Sequence, residues 1–394
     1  MSTVTFDVVR ATEKYVVDEN GDISQVAANT PAFEYNADGT YKGMSVEEQR
    51  ENICLQSGDF STTWLSGVNT TVSAVTETTP DGDSTSKSVK IGDNNSTGTG
   101  SVVVRQDITV TGGETYTASI FLKADGLAFA RLSIDEYDGV TNGTQYFGLS
   151  GSGSLGTASN LDDSKIEAYP NDWYRCSVTW TQGAADTEFK FRIYVANSIS
   201  SSTVDLDNTS SIFAWGVQVE LGANASSYIP TTTTSVTRSK DDISNTSAST
   251  YIGTAGTIYA EVQIDNILNE NQWIIYARST TAPAENYIHI FLSSSGNFGY
   301  RLEASNVIAG THNETATTGN HKLAIVYTTG DIRYYLDGVQ VGTDANAFTF
   351  AQTLSEIYIG KTPFSSTDHF NNWIRAFAFY KRALTDSEAI ALTS

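Results

Sequence analysis

Residues 321–342 read HKLAIVYTTGDIRYYLDGVQVG, and this stretch decides the fold class. Leu323, Ile325 and Tyr327 alternate along it, Thr329-Gly330-Asp331 marks a turn, and Ile332, Tyr334 and Leu336 alternate again. Successive strand side chains point to opposite faces, so a period of two on either side of a glycine turn describes a hairpin with one buried face. Asp337-Gly338 supplies a second tight turn, whose central residues need positive φ.

The same period extends outward in both directions. Ile258, Ala260, Val262 and Ile264 alternate after Thr257, and strands follow near Trp273–Arg278, Tyr287–Leu292 and Phe298–Glu303. Trp373–Tyr380 is apolar almost throughout except at Arg375, as expected of a strand covered on both faces. In the first half, Tyr116, Ala118, Ile120 and Leu122 share a face, as do Phe189, Phe191, Ile193 and Val195, and also Tyr174, Cys176, Val178 and Trp180. Helical periodicity is nearly absent, but Thr385-Asp386-Ser387-Glu388 forms a capping box for one short C-terminal helix. The chain reads as all-β: an N-terminal extended arm followed by two antiparallel β-sandwiches of jelly-roll type.

The domain boundaries follow from composition. Residues 1–52 hold only short apolar pieces, such as Phe6–Val9 and Tyr15–Val17, and read either as an arm that packs on something else or as a hairpin folded onto the first sandwich. A first sandwich spans 53–243. The run TTTTSVTRSKDDISNTSAST at 231–250 holds few large apolar residues, so 244–256 reads as a linker before a second sandwich at 257–394.

Charge and cysteine content exclude several function classes. With 23 Lys+Arg against 45 Asp+Glu among 394 residues, the net charge of −22 repels phosphate backbones, and no basic run reverses this locally. Nucleic acid is therefore not an expected partner. Cys54 and Cys176 are too few for a disulfide framework; Cys176 reads as a small buried hydrophobe, and a bridge to Cys54 is left open by the sequence. The opening MSTVTFDVVR lacks a basic segment followed by an apolar one, and no run approaches a membrane span. A protein with neither signal peptide nor membrane insertion is expected.

Three stretches of the first half carry a resemblance. Gly43–Trp64 reads GMSVEEQRENICLQSGDFSTTW, Asn171–Cys176 reads NDWYRC, and Phe213–Gly222 reads FAWGVQVELG before Ser227–Thr231 and Val236-Thr237-Arg238. With Arg10-Ala11-Thr12 as lead, this pattern over residues 1–243 resembles a family of tailed-phage tail-fibre and virion-surface proteins with a carbohydrate-binding-module-like jelly roll. Ala32-Phe33, Glu51 and Cys54 depart from the family's usual residues. The second half, through His321–Tyr327, Tyr334–Gly342, Ile357–Gly360, Ile374–Phe377 and Arg382–Glu388, resembles concanavalin A-like (laminin-G-type) lectin domains.

The resemblances imply a structural virion-surface protein of a tailed bacteriophage, a tail-fibre or appendage subunit attached to other virion proteins through its N-terminal third, released by host lysis and binding host surface polysaccharide. A homotrimer is expected by similarity to fibre proteins. The rival reading is a capsid or tail decoration protein that binds no glycan. A polysaccharide depolymerase ranks below both.

The residues themselves offer little chemistry for catalysis. Lectin-like glycosidases project paired carboxylates from one strand. Here Glu261 and Asp265 lie too far apart along theirs, and Asp135-Glu136-x-Asp138 reads as a turn. The four histidines, His289, His312, His321 and His369, show no metal-binding spacing. No enzyme is expected.

Asp59 and Glu220 are candidates for a structural Ca2+ site, since jelly-roll carbohydrate modules often hold one with carboxylates near their first and last strands. For sugar binding, aromatic rings stack on pyranoses while polar neighbours fix hydroxyls. Opposite the core faces of the second sandwich fall Tyr287, His289 and Phe291, with Arg301 and Glu303, and Arg333 with Tyr335. Tyr287, His289, Arg301, Arg333 and Tyr335 are the candidate glycan-binding set. Burial of that face in a subunit interface is the competing expectation.

Overall fold

The computed structural model describes residues 5–60, 62–85, 88–95, 97–138, 141–280, 286–365 and 368–394. Among them every strand pairing is antiparallel, and one α-helix, Asp386–Thr393, closes the chain.

The first sandwich pairs two six-stranded sheets. One runs in the order Ser154–Ser159, Asn142–Gly148, Phe129–Asp135, Glu188–Ala196, Val103–Thr109 and Leu65–Ser66; the other runs Asp163–Tyr169, Trp173–Thr181, Thr115–Ala124, Ser211–Leu221, Ser88–Asp93 and Thr70–Val75. Ala118, Ile120, Leu122, Cys176, Val178, Phe191 and Ile193 are fully buried between them. Both cysteines are free thiols, with Cys54 and Cys176 each in the core and burial raising their pKa.

The second sandwich is built on the hairpin that decides the fold class. Gly319–Thr328 pairs with Asp331–Leu336, and Leu323, Ile325, Tyr327, Ile332 and Tyr334 sit in the core. Asp337 and Gly338 adopt φ of 48° and 78°, the two positive values the second turn requires. One seven-stranded sheet runs Val339–Asp344, Asp331–Leu336, Gly319–Thr328, Gly256–Ile264, Asn372–Tyr380, Tyr41–Val46 and Phe33–Tyr35. The facing sheet runs Asp7–Val9, Asp242–Asn245, Glu356–Ile359, Gln272–Arg278, Tyr287–Leu292, Asn297–Ala304 and Val307–Thr315. Asn372–Tyr380 is covered only in part: Phe377 and Phe379 pack on the core, Ala378 and Tyr380 on a cluster under the terminal helix, and Ala376 is exposed.

Those sheet orders redraw the segments expected at both ends of the first half. The N-terminal strands complete the sheets of the second sandwich: Asp7–Val9 pairs with Asp242–Asn245, and Tyr41–Val46 with Asn372–Tyr380. The hairpin Lys14–Val17 with Ile23–Val26 lies on the first sandwich, where Val17 and Ile23 cover Phe121, Trp173, Trp215 and Tyr228, and so does Asn52, which donates to the Val217 carbonyl and accepts from the Val219 amide. The arm thus spans both sandwiches. Residues 244–256 are no tether either, since Asp242–Asn245 is a strand of the second sandwich and Ala248 and Ile252 lie in its core. These short strands are held by backbone hydrogen bonds to partners hundreds of residues away, which leave little trace in local composition.

Candidate functional site

On the outer face of the sheet containing Tyr287–Leu292, the pairing register lines side chains up in rows across four strands. Glu356, Arg278, Tyr287 and Glu303 form the first row, and Tyr358, Tyr276, His289 and Arg301 the second. In the third, Trp273 stands beside Phe291, which stands beside Gly299. A bulge between Trp273 and Ile275 brings Trp273 onto the same face as Tyr276, three residues on instead of two. Gly299 is required here: a Cβ at that position would lie 2.3 Å from the Phe291 ring.

His289 is the centre of the face and only 5% exposed. Its ring stacks on Tyr287 (centroids 5.1 Å apart) and Tyr276 (5.4 Å) and meets Trp273 (4.7 Å) and Phe291 (5.1 Å) edge-on. Burial, and then the charge of Arg301, pushes its pKa down to about 3, so the imidazole is neutral in ordinary conditions. Phe364, 68% exposed, stands edge-on to Tyr276 and under the Arg278 guanidinium.

Two matching triads flank this floor. Tyr287 donates its hydroxyl proton to Glu303, which also accepts from Arg301 at 2.8 Å. Tyr358 donates to Glu356 at 2.6 Å, and Arg278 donates to the same carboxylate at 2.9 Å. Each guanidinium also lies within 6 Å of its triad's tyrosine ring. Three buried nitrogens on this face, Trp273 Nε1, His289 Nδ1 and Arg301 Nε, have no hydrogen-bond partner among the described residues.

Arg333 and Tyr335 do not join this face. They belong to the opposite sheet, whose outer side is sealed by the terminal helix, and Tyr335 is fully buried beside Tyr259, Leu384 and Ala389. Tyr335 donates to Asp386 at 2.8 Å, and Arg333 donates to Asp386 and to the Leu384 carbonyl. The candidate glycan-binding set is therefore split: Tyr287, His289 and Arg301 lie together on an open face, while Arg333 and Tyr335 dock a helix. Alternation assigns a residue to a face but not what covers that face. Trp273, Tyr276, Arg278, Tyr358 and Phe364 were missed. For Tyr358 the Ile357-Tyr358-Ile359 alternation carried the signal; for Trp273 the bulge hid it.

The signature residues of the first half converge elsewhere, at a buried charge cluster between the sandwiches. Arg10 reaches Asp241 at 2.7 Å, Lys14 reaches Asp241 and Glu47 at 2.8 Å each, and Arg238 reaches Glu47 at 3.4 Å. The Arg10 and Lys14 side chains are 0% exposed and that of Asp241 1%. Burial alone would raise the carboxylates, but Arg238 and Lys14 hold Glu47 low, and Lys14 and Arg238 hold Asp241 low. Glu47 also accepts from the Ser227 backbone and hydroxyl, and Arg238 donates to the Glu48 carbonyl. The cluster ties the arm, the Glu47–Arg50 segment and the Ser227–Thr231 loop into one joint.

The expected calcium ligands do not fit a metal. The Glu220 carboxylate accepts from Gln218 Nε2 at 2.6 Å, from Ser226 N at 2.8 Å and from Ser226 Oγ at 2.6 Å, so protein donors already occupy it. It is a loop clamp, and Asp59 lies exposed in a turn. Among the described residues no three His, Cys, Asp or Glu side chains cluster to hold a metal ion. The carboxylates weighed for catalysis are engaged as well: Glu261 with Arg375 at 2.9 Å, Asp265 with Lys42 at 2.7 Å, and Asp135 with Arg192 at 2.9 Å.

Residues 235–390 match the model of the concanavalin A-like lectin/glucanases superfamily. No curated protein matches the chain. Similar solved structures include the Ruminococcus gnavus IT-sialidase CBM40, 19% identical over 36% of this chain and 83% of that one, with a TM-score of 0.31. A SAP-like pentraxin from Limulus polyphemus is 13% identical over 36% of this chain and 70% of its own, at 0.30. Mouse laminin alpha1 chain domains LG4-5 are 10% identical over 71% and 88%, at 0.29. The matched residues make up most of the second sandwich, which strands from the N-terminus complete, so that sandwich is similar to the concanavalin A-like superfamily.

Proposed function

We propose that the protein is a non-catalytic glycan-binding component of a tailed-phage virion surface, a tail fibre or appendage subunit. The observation that carries the binding role is the aromatic face built on Trp273, Tyr276, Tyr287, His289 and Phe291, with polar triads on its flanks. Aromatic rings supply stacking surface for pyranose faces, and convergent polar groups fix hydroxyls. Affinity per site is weak and is multiplied by copy number in the assembled particle. The ion pairs that occupy Glu261, Asp265 and Asp135 support a binding role over a hydrolytic one.

The virion assignment rests on the signature residues, whose side chains meet in the buried joint between arm and sandwiches. Mass spectrometry of purified particles detects the chain if it is a virion protein, and native mass gives the assembly, with a trimer expected. A glycan array with the full chain tests binding. Capture of polysaccharide, lost in Trp273→Ala, supports the reading. A chain present on particles that binds no glycan at high multivalency is a decoration protein, and released oligosaccharide marks a depolymerase.

A further inference from the structure

We infer that the open aromatic face takes an uncharged hexopyranose chain and discriminates against acidic glycans. This rests on the glycan-binding reading and adds the ligand's class.

Charge is the first constraint on the ligand. Each cation on or beside the face is already paired: Arg301 with Glu303 at 2.8 Å, Arg278 with Glu356 at 2.9 Å, and Lys361 with Asp242 at 2.5 Å. Two of those carboxylates also accept a tyrosine hydroxyl, so the triads hold them in place. A sugar carboxylate or phosphate approaching either guanidinium would meet a fixed carboxylate at the same atoms. It would have to displace that carboxylate, stranding an anion that is 8% exposed at Glu303. The field of the whole chain, at −22, opposes anions as well.

What remains for a ligand is uncharged. The floor consists of aromatic rings and a histidine kept neutral by burial. Four strands about 4.8 Å apart make it roughly 14 Å across, room for more than one ring of an extended chain. Phe364 rises at one margin as an exposed apolar wall.

The test presents the full chain with neutral polysaccharides (mannan, glucan, galactan) and acidic ones (sialylated, uronate-containing and phosphate-containing) at equal density. Binding confined to the neutral set, changing by less than about twofold between roughly 0.1 and 1 M salt, is the expected result. Trp273→Ala and Phe291→Ala should each weaken it about tenfold or more. Because ring removal also loosens the fold, a second variant tests the charge argument by itself. Glu303→Gln leaves Arg301 unpaired with little change of shape and should raise binding of acidic chains about fivefold or more. Stronger binding of acidic chains by the parent, weakening with salt, overturns the inference but keeps the glycan-binding reading. So does a Glu303→Gln variant that gains nothing. If no chain of either kind binds, the glycan-binding reading falls and takes the inference with it.

Discussion

The two outer faces of the second sandwich carry similar chemistry and opposite fates. Each presents tyrosine and arginine joined through a carboxylate: Tyr287 and Arg301 through Glu303 on one face, Tyr335 and Arg333 through Asp386 on the other. On the first face the carboxylate comes from the neighbouring strand, so the triad closes within the sheet and Tyr287 stays part-exposed. On the second it comes from the first turn of the terminal helix, so closing the triad docks the helix and buries Tyr335 completely. The lesson is that a Tyr–Arg pair on a sheet surface acquires its role from where its carboxylate originates.

The largest expected effect should not distinguish the two faces at all. Asp241→Asn removes the carboxylate shared by Arg10 and Lys14 and leaves the buried Arg10 without an anionic partner while Lys14 keeps Glu47, at a cost of about 3–5 kcal/mol. Chemical denaturation should show that loss, while the protein that stays folded binds glycan as before. A change under about 1 kcal/mol would mean that the joint does not hold the arm.

Acidification should act on the open face next. The His289 imidazole is neutral when folded and free to charge when unfolded, so its contribution is complete above the unfolded pKa near 6.5 and is lost as pH falls toward about 3. By pH 4 that is roughly 3 kcal/mol. His369, buried against the Asp241 carbonyl with its pKa pushed down to about 4, acts in the same direction. Thermal melts from pH 7.5 down to pH 4 should fall steeply, and His289→Gln should flatten the curve. An unchanged slope would show that the histidine is not sealed beneath its aromatic neighbours.

Smaller effects separate the faces directly. Trp273→Ala should weaken glycan binding about tenfold, or about 1.4 kcal/mol, while Arg333→Lys on the sealed face leaves it unaltered. Equal losses would mean that the two faces do not differ in ligand binding. Smallest is Thr385→Ala, which removes the cap of the terminal helix: the Thr385 hydroxyl accepts from the Glu388 amide, and Glu388 accepts from the Thr385 amide. The expected cost is about 1 kcal/mol in thermal denaturation with no change in binding.

Much of the core was legible from alternation alone. Ile258, Ala260, Val262, Leu323, Ile325, Tyr334, Ala118, Ile120 and Trp180 all lie where a period of two places them. Half of the candidate site was legible too, because Tyr287, His289 and Arg301 face outward from paired strands. Trp273 escaped because a bulge shifts its phase, and Arg333 and Tyr335 misled because alternation carries no information about a helix fifty residues away. The calcium candidate failed for a related reason: the donors that fill Glu220 come from a loop whose path is not periodic.

By itself the sequence determined the long core strands, their buried faces, the tight turns and the capped helix, since each depends on neighbours within a few residues. The tertiary structure alone decided that the N-terminal segment completes both sheets of the C-terminal domain and that Arg10, Lys14, Glu47, Arg238 and Asp241 share one buried cluster. It also decided which of two tyrosine-rich faces stays open. Those outcomes depend on backbone pairing and charge compensation between residues far apart in the chain, where local pattern has no reach.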